Sequence, residues 1–316
     1  MIKIGVIGYK NHAKRMIKIF SSQSNVKIQC VYHPKKKIKG VTNNINYLLN
    51  TDAILILCPN HLHFKYINFV KKEKYKGYIF CEKPPVTSKS DLKRIKCNKR
   101  KTFFNFNFRF SYLKNFFEKE INLRNLGKVL NISIVATHGF AFKKEYKNSW
   151  RSKSSLHKNG ITETVIIHWI DFINLFFGEI NKISYNPVNF LGNGTAYDTC
   201  QVSLKLKNKA HANIFASYAS PAISRISIIY TNGIIEYDKN LLKVYGPRNV
   251  FSKDGKFKNP PIIFKKKINY QAMYNESLIN SVNYFLNFVR SKKYIPRYMY
   301  DKSIEANKFV FMNNEK

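Results

Sequence analysis

The sequence predicts an α/β protein with a parallel, doubly wound N-terminal domain and a second α/β domain whose strands run mainly antiparallel. Three observations carry this. The chain opens on a short apolar run, Ile2-Lys3-Ile4-Gly5-Val6-Ile7, that breaks at Gly8 and turns into a helical pattern. Strand-like and helix-like segments then alternate, which implies right-handed βαβ units. Beyond residue 200 the segments alternate apolar with polar residues between Asn-Lys and Asn-Gly turns, the pattern of half-buried antiparallel strands. At 316 residues the chain exceeds the commonest single-domain size, so two domains are expected.

The opening strand feeds a helix N-terminus, where several backbone N–H groups and the positive end of the helix dipole suit the pyrophosphate of a dinucleotide. In the G-x-G-x-x-G/A frame of such turns this chain has Gly8, Lys10 and Ala13, with Asn11 and His12 inside the turn. Lys10 departs from the pattern, since the second glycine normally lets phosphate approach bare backbone. A lysine there must swing aside or answer the phosphate with its own charge. The next strand, Val26 to Tyr32, ends at His33-Pro34-Lys35 with two more lysines following. An acid at this place would bond the adenosine 2′-hydroxyl, whereas a basic side chain accepts a 2′-phosphate. His33 and Lys35 therefore lean the cofactor from NAD toward NADP.

A third strand, Asp52 to Leu57, leads into Cys58-Pro59-Asn60-His61-Leu62-His63, and a helix is expected over Phe64 to Lys74. The strand Tyr78 to Cys81 ends in Glu82-Lys83-Pro84-Pro85. Ligands of parallel sheets sit at the carboxyl ends of the strands. Pro59, Asn60, His63, Glu82 and Lys83 all fall there.

In order and spacing, Gly8-x-x-x-x-Ala13, Pro59-Asn60 with His63, and Glu82-Lys83-Pro84 resemble the glucose-fructose oxidoreductase, inositol dehydrogenase and rhizopine-catabolism family, written Gfo/Idh/MocA. The resemblance continues through Asn107-x-Arg109-Phe110, Leu126-Gly127-Lys128-Val129, Ser149-Trp150-Arg151 ahead of Gly160, and His168-x-x-Asp171 running to Gly178. It implies a Rossmann NAD(P)-binding domain over 1–117. A substrate-binding and oligomerisation domain with an open, mainly antiparallel sheet follows over 118–316. It also implies a hydroxyl–keto interconversion on a sugar, cyclitol or sugar nucleotide in a homodimer or homotetramer.

The resemblance makes Lys83 and His168 the catalytic pair. A lysine can move the substrate's hydroxyl proton if desolvation and nearby positive charge lower its pKa from about 10.4, and an imidazole titrates near 6.5 unaided. Read without the family, a lysine before proline is a surface residue and a histidine on an apolar helix a core one. Arg109, Trp150, Arg151, Thr164 and Asp171 are the implied substrate contacts. Arg151 could hold phosphate or carboxylate, and Asp171, one turn after His168, could orient the imidazole or anchor its helix. Most dehydrogenases of the family place aspartate where this chain has Thr164. The adjacent Glu163 is rotated about 100° along a helix and need not face the substrate. Lys10 and Thr164 keep open a catalytically silent nucleotide-binding or regulatory protein.

Composition excludes other classes. No run approaches the roughly 18 apolar residues of a membrane span, and the opening strand leaves no room for a signal peptide. The five cysteines lack metal-site spacing and read as reduced thiols, so a cytoplasmic protein without metal is expected. The net charge of +37 is spread along the chain rather than gathered on one stretch. That argues against a nucleic-acid partner while favouring anionic small molecules. The stretch Glu276 to Val289 has helical spacing, with Leu278, Val282, Phe285 and Val289 on one side.

Overall fold

Parallel pairing of strands that are not consecutive in the chain defines the first sheet. The structure is a computed structural model that describes residues 1–35 and 39–312. By contacts it divides into two units, residues 1–107 with 277–311, and residues 108–276 with 312–316. The sequence reading divided the chain after residue 117 and gave everything beyond to the second domain. In the structure residues 277–311, which hold most of the last two helices, pack with the first unit.

In the first unit the strands are β1 (Ile2–Ile7), β2 (Val26–Tyr32), β3 (Val41–Thr42), β4 (Ala53–Ile56), β5 (Tyr78–Glu82) and β6 (Thr102–Asn105). They pair in parallel in the order β3-β2-β1-β4-β5-β6, the doubly wound order of dinucleotide-binding sheets. The order reverses at β1 and β4, so the crevice at their carboxyl ends is where a dinucleotide is expected. Helices α1 (Asn11–Ser21), α2 (His63–Lys72) and α3 (Lys89–Arg94) connect the strands. The second helix ends two residues before the expected Lys74, which adopts a positive φ of 50°. The strands are continuous apolar runs because helices cover both faces of such a sheet, and every residue of β4, β5 and β6 is buried.

The second unit holds α4 (Tyr112–Leu123), β7 (Val129–Thr137), α5 (Lys144–Lys147), α6 (Ile167–Phe176) and seven further strands. These are β8 (Ile180–Val188), β9 (Thr199–Leu206), β10 (His211–Ser217), β11 (Ile223–Tyr230), β12 (Gly233–Asp238), β13 (Leu241–Tyr245) and β14 (Ile262–Lys267). They form one open sheet in the order β14-β13-β12-β11-β7-β10-β9-β8, antiparallel except where β10 runs parallel to β7. Alternation places Val202, Leu204, Ile214, Ile228, Ile235 and Val244 in the core. Gln201, Ser203, Asn213, Ser227 and Glu236 point to the wetter face.

Helix α7 (Tyr270–Ser291) begins in the second unit and continues in the first, where α8 (Arg297–Phe311) follows. The stripe of Leu278, Val282, Phe285 and Val289 is buried. Phe285 meets the rings of Phe20, Phe80 and Phe103 at 5.3–6.3 Å. Among the described residues, no helix is long and apolar enough to cross a membrane.

Candidate active site

Each unit contributes its own constellation. In the first, β1 leaves the sheet at Gly8, whose φ of +116° suits glycine and whose added Cβ would stand 2.8 Å from the Leu57 carbonyl oxygen. The Gly8 N–H donates to Tyr32 O at 3.0 Å and the Leu57 N–H to Ile7 O at 2.9 Å, which fixes the turn against β2 and the end of β4. Lys10 is the residue before α1, in extended backbone with φ −91°, so no left-handed glycine is needed there. Its side chain makes no cap bond, and no acid stands in the first turn, an arrangement that suits an anion at the leading N–H groups of α1. Ala13, in the third position of the frame, is fully buried and lets the helix close on the sheet.

Glu82 ends β5 and is held from two sides. His12 Nε2 lies 2.9 Å from its Oε1, and Asn105 Nδ2 donates to the same oxygen at 2.8 Å. Burial pushes the Glu82 carboxyl up. The His12 charge and hydrogen bond, the Asn105 donor and the nearby Lys83 charge outweigh it and hold the group below the usual carboxylate range. Lys83, half-buried, follows directly and precedes a cis peptide at Pro84.

His63, expected among the cofactor residues, straps two strand ends together. It is fully buried with Nδ1 2.7 Å from Pro84 O and Nε2 3.1 Å from Cys58 O, tying the end of β4 to the end of β5. Burial pushes its imidazole pKa down against the pull of the two carbonyl oxygens. Pro59 starts the turn Asn60–Leu62. Asn60 is buried there, and its Nδ2 has no hydrogen-bond partner among the described residues. His33 Nδ1 accepts from the Lys35 N–H at 3.2 Å, so that ring closes the turn after β2. Lys36 and Lys37, which entered the NADP argument, lie outside the described residues.

In the second unit, Thr162–Ile166 form a π-helical turn running into α6. Insertions of this kind recur at functional sites. Glu163 is buried inward, as its rotation from Thr164 implied. Its Oε1 accepts from the Asn159 N–H and Nδ2 at 3.1 and 3.0 Å, and its Oε2 lies 3.2 Å from His157 Nε2. Burial pushes this carboxyl up to about 8 against the pull of the Asn159 donors, so at neutral pH it is largely protonated beside the imidazole. Thr164 makes a short hydrogen bond with the Tyr218 hydroxyl, and its own hydroxyl donates to Ile161 O at 3.3 Å. His168 is buried with its ring stacked on Phe108 at 4.5 Å.

Arg109 and Asp171, both expected to touch substrate, are buried and bound to each other. Nε donates to Oδ2 at 2.8 Å and NH2 to Oδ1 at 2.5 Å. Asp171 thus ties its helix to the turn that carries Arg109. Arg151 lies over the Trp150 ring at 4.4 Å, and Trp150 meets His157 edge-on at 5.0 Å. Sequence reasoning missed Asn105, Asn159, His157 and Tyr218. Asn105 was within reach of the same rule that found Glu82, because it ends β6. Asn159 and His157 stand four and six residues before Glu163 without forming a recognisable motif, and Tyr218 meets Thr164 from fifty-four positions away.

The first unit is therefore equipped to seat a pyrophosphate and to present an ionised carboxylate and a lysine beside it. The second presents a histidine, a hydroxyl pair and a guanidinium. Among the described residues, no group of three or more His, Cys, Asp or Glu is placed to hold a metal ion.

Comparison with known proteins gives matches to two family models. Residues 2–102 match the NAD-binding Rossmann fold of an oxidoreductase family, and residues 119–236 match the GFO/IDH/MocA C-terminal domain. The 2,7-anhydro-N-acetylneuraminate hydratase of Escherichia coli (strain K12) is 26% identical over 214 residues, covering 62% of this chain. The chain spans about half of that relative's length, 54%. Among solved structures, a levoglucosan dehydrogenase with NADH and levoglucosan superposes with a TM-score of 0.79 at 14% identity, over 99% of this chain and 96% of that one. A myo-inositol dehydrogenase from Corynebacterium glutamicum gives 0.74 at 15% identity, over 100% and 96%. An oxidoreductase from Agrobacterium radiobacter in complex with NAD+, L-tartaric acid and magnesium gives 0.76 at 16% identity, over 99% and 96%. At these identities the likeness is one of fold.

Proposed function

The chain belongs to the Gfo/Idh/MocA family of NAD-binding oxidoreductases, and from that premise we propose that it interconverts a hydroxyl and a keto group on a sugar, cyclitol or sugar nucleotide with NAD(P). The observation that carries the reading is the turn from Gly8 to Ala13, with its close backbone approach at Gly8 and an α1 N-terminus that the Lys10 side chain leaves uncapped. Asn60 adds a buried amide donor without a partner among the described residues, at the end of the adjoining strand. These features fit a dinucleotide, which when bound supplies the hydride chemistry.

The remaining work falls to this chain's residues. Gly8, Asn11 and Ala13 shape the phosphate seat, Lys10 and His12 add positive charge, and Pro59 and Asn60 border it. Glu82 stays ionised through His12 and Asn105. Oxidation of a secondary alcohol requires the hydroxyl proton to leave as the carbon gives up its hydride. Lys83 takes that proton, and His168 is the second acid–base group. His33 and Lys35, with no acid at the end of β2, lean the cofactor toward NADP. The half-exposed face of the second sheet is the proposed contact of a homodimer or homotetramer. Five free cysteines support a reducing, cytoplasmic setting.

Titration with NADH and NADPH, followed by nicotinamide fluorescence, tests the reading. The expected outcome is micromolar binding with NADPH preferred, followed by NAD(P)H absorbance changes with a polyol or sugar substrate. Failure of both cofactors to bind would sink it. The hydratase relative favours a second reading, net addition or removal of water on an anhydro-sugar. It predicts substrate turnover with no net change in NAD(P)H absorbance.

A further inference from the structure

Arg151 lies in a short turn, Trp150–Ser152, whose Arg151 N–H is fixed by Ser149 Oγ at 3.2 Å. Its guanidinium stands 4.4 Å from the Trp150 ring centroid and 6.0 Å from that of Phe140, and it hydrogen-bonds the Tyr218 hydroxyl. The side chain is half-buried, yet among the described residues no carboxylate pairs with it. Asp198, whose charge is felt at Tyr146 beside Tyr218, is already held by the Phe190 and Leu191 N–H groups and the Thr199 hydroxyl. His138, tilted against Tyr218 at 4.7 Å, is pushed toward its neutral form by burial and by the charges of Arg151 and Lys143. The corner is positive, and among the described residues no carboxylate is paired with its guanidinium.

Tyr218 links this corner to the helix that carries His168. Its hydroxyl is shared with Thr164, four residues before that histidine. An aspartate at 164 would place a carboxylate against the hydroxyl that Arg151 also holds and would neutralise the guanidinium. Threonine occupies the position with a neutral hydroxyl and leaves the charge to be met from outside.

We infer that the substrate carries an oxyanion, a carboxylate or a phosphate, and that Arg151 receives it. The inference deepens the proposed dehydrogenase reading and rests on it. A half-desolvated guanidinium pre-set over an indole matches a planar carboxylate or a phosphate edge by paired N–H···O bonds, and its charge counts for more there than in open water.

The test is calorimetric titration of the whole protein, with and without NADH, using matched ligands: D-glucuronate, D-gluconate and D-glucose 6-phosphate against D-glucose and myo-inositol. Acids are expected to bind at least about tenfold more tightly than their neutral counterparts, and Arg151→Met is expected to remove that advantage. Thr164→Asp should remove the advantage of acids over neutral sugars, and it keeps the test intact if Arg151→Met folds poorly. A preference for uronate over the phosphate identifies carboxylate as the anion, and the reverse identifies phosphate. Equal binding of acids and neutral sugars, no binding of any acid, or acid binding that survives Arg151→Met as general attraction to a positive surface overturns the inference. NADH binding by the same samples separates the two claims. Cofactor affinity without acid preference sinks only the oxyanion assignment, whereas failure of wild type to bind either NADH or NADPH sinks the dehydrogenase reading.

Discussion

Removing either member of the Arg109–Asp171 pair strands a full charge where little water reaches it. Both side chains are buried and joined by two hydrogen bonds. Asp171→Ala or Arg109→Met should therefore cost about 3–5 kcal/mol in urea denaturation, far above the cost of breaking a surface pair. A loss under about 1 kcal/mol would mean that solvent reaches the pair. Glu163 gives a pH signature. Its carboxyl is raised from 4.5 to about 8 in the folded chain, so the protonated form is favoured by folding. That contribution is complete below pH 4.5 and fades as pH rises toward about 8. The melting temperature should fall over that window, and Glu163→Gln should flatten the fall. At this scale the sequence showed which residue types matter better than what they touch. It singled out Arg109 and Asp171 at motif positions, but only the fold reveals that they bind each other. Thr164 was legible as a departure, and its partner Tyr218, fifty-four positions away, was not.

Among the elements, the β1–Gly8–α1 turn has the tightest local requirement. Gly8→Ala combines a positive φ with a Cβ 2.8 Å from the Leu57 carbonyl oxygen. It should destabilise the first unit by more than the roughly 1 kcal/mol typical of a left-handed alanine and weaken NADH binding in the fluorescence titration. Lys10→Gly should leave folding unchanged, because Lys10 is already in extended backbone. On helix α7, Phe285→Ala removes a ring packed among Phe20, Phe80 and Phe103 and should cost about 3–5 kcal/mol in thermal or urea unfolding. Periodicity made these elements readable. A period of 3.6 marked α7, a period of 2 marked β9 and β10, and short apolar runs marked β1, β4 and β5. The π-helical turn before α6 has no such period; within it Glu163 is held by Asn159 and lies beside His157, four and six residues earlier. The parallel pairing of β10 with β7 is equally silent in sequence, since pairing direction leaves no trace in alternation.

For the molecule as a whole, the positive charge of +37 should make the capture of anionic ligands fall with ionic strength, measurable as the on-rate for NADH in rising salt. The division into units was only half readable. Composition and length called for two domains, and the alternating strands separated them. That the final helices return to the first unit depends on long-range packing, such as Val86 N–H on Asn307 Oδ1 at 2.9 Å and the Tyr78 hydroxyl on Lys293 O at 2.9 Å. A chain ending at Glu276 should lose cooperative unfolding of the first unit and bind an apolar dye, because the ring cluster around Phe80 would be uncovered. The same arrangement bears on how the protein is made. Domains fold as units as the chain emerges, and here the second unit lies in sequence almost wholly inside the first. The first unit is begun before the second and completed after it. During synthesis its sheet must wait through about 170 residues of another unit before the helices that cover it leave the ribosome.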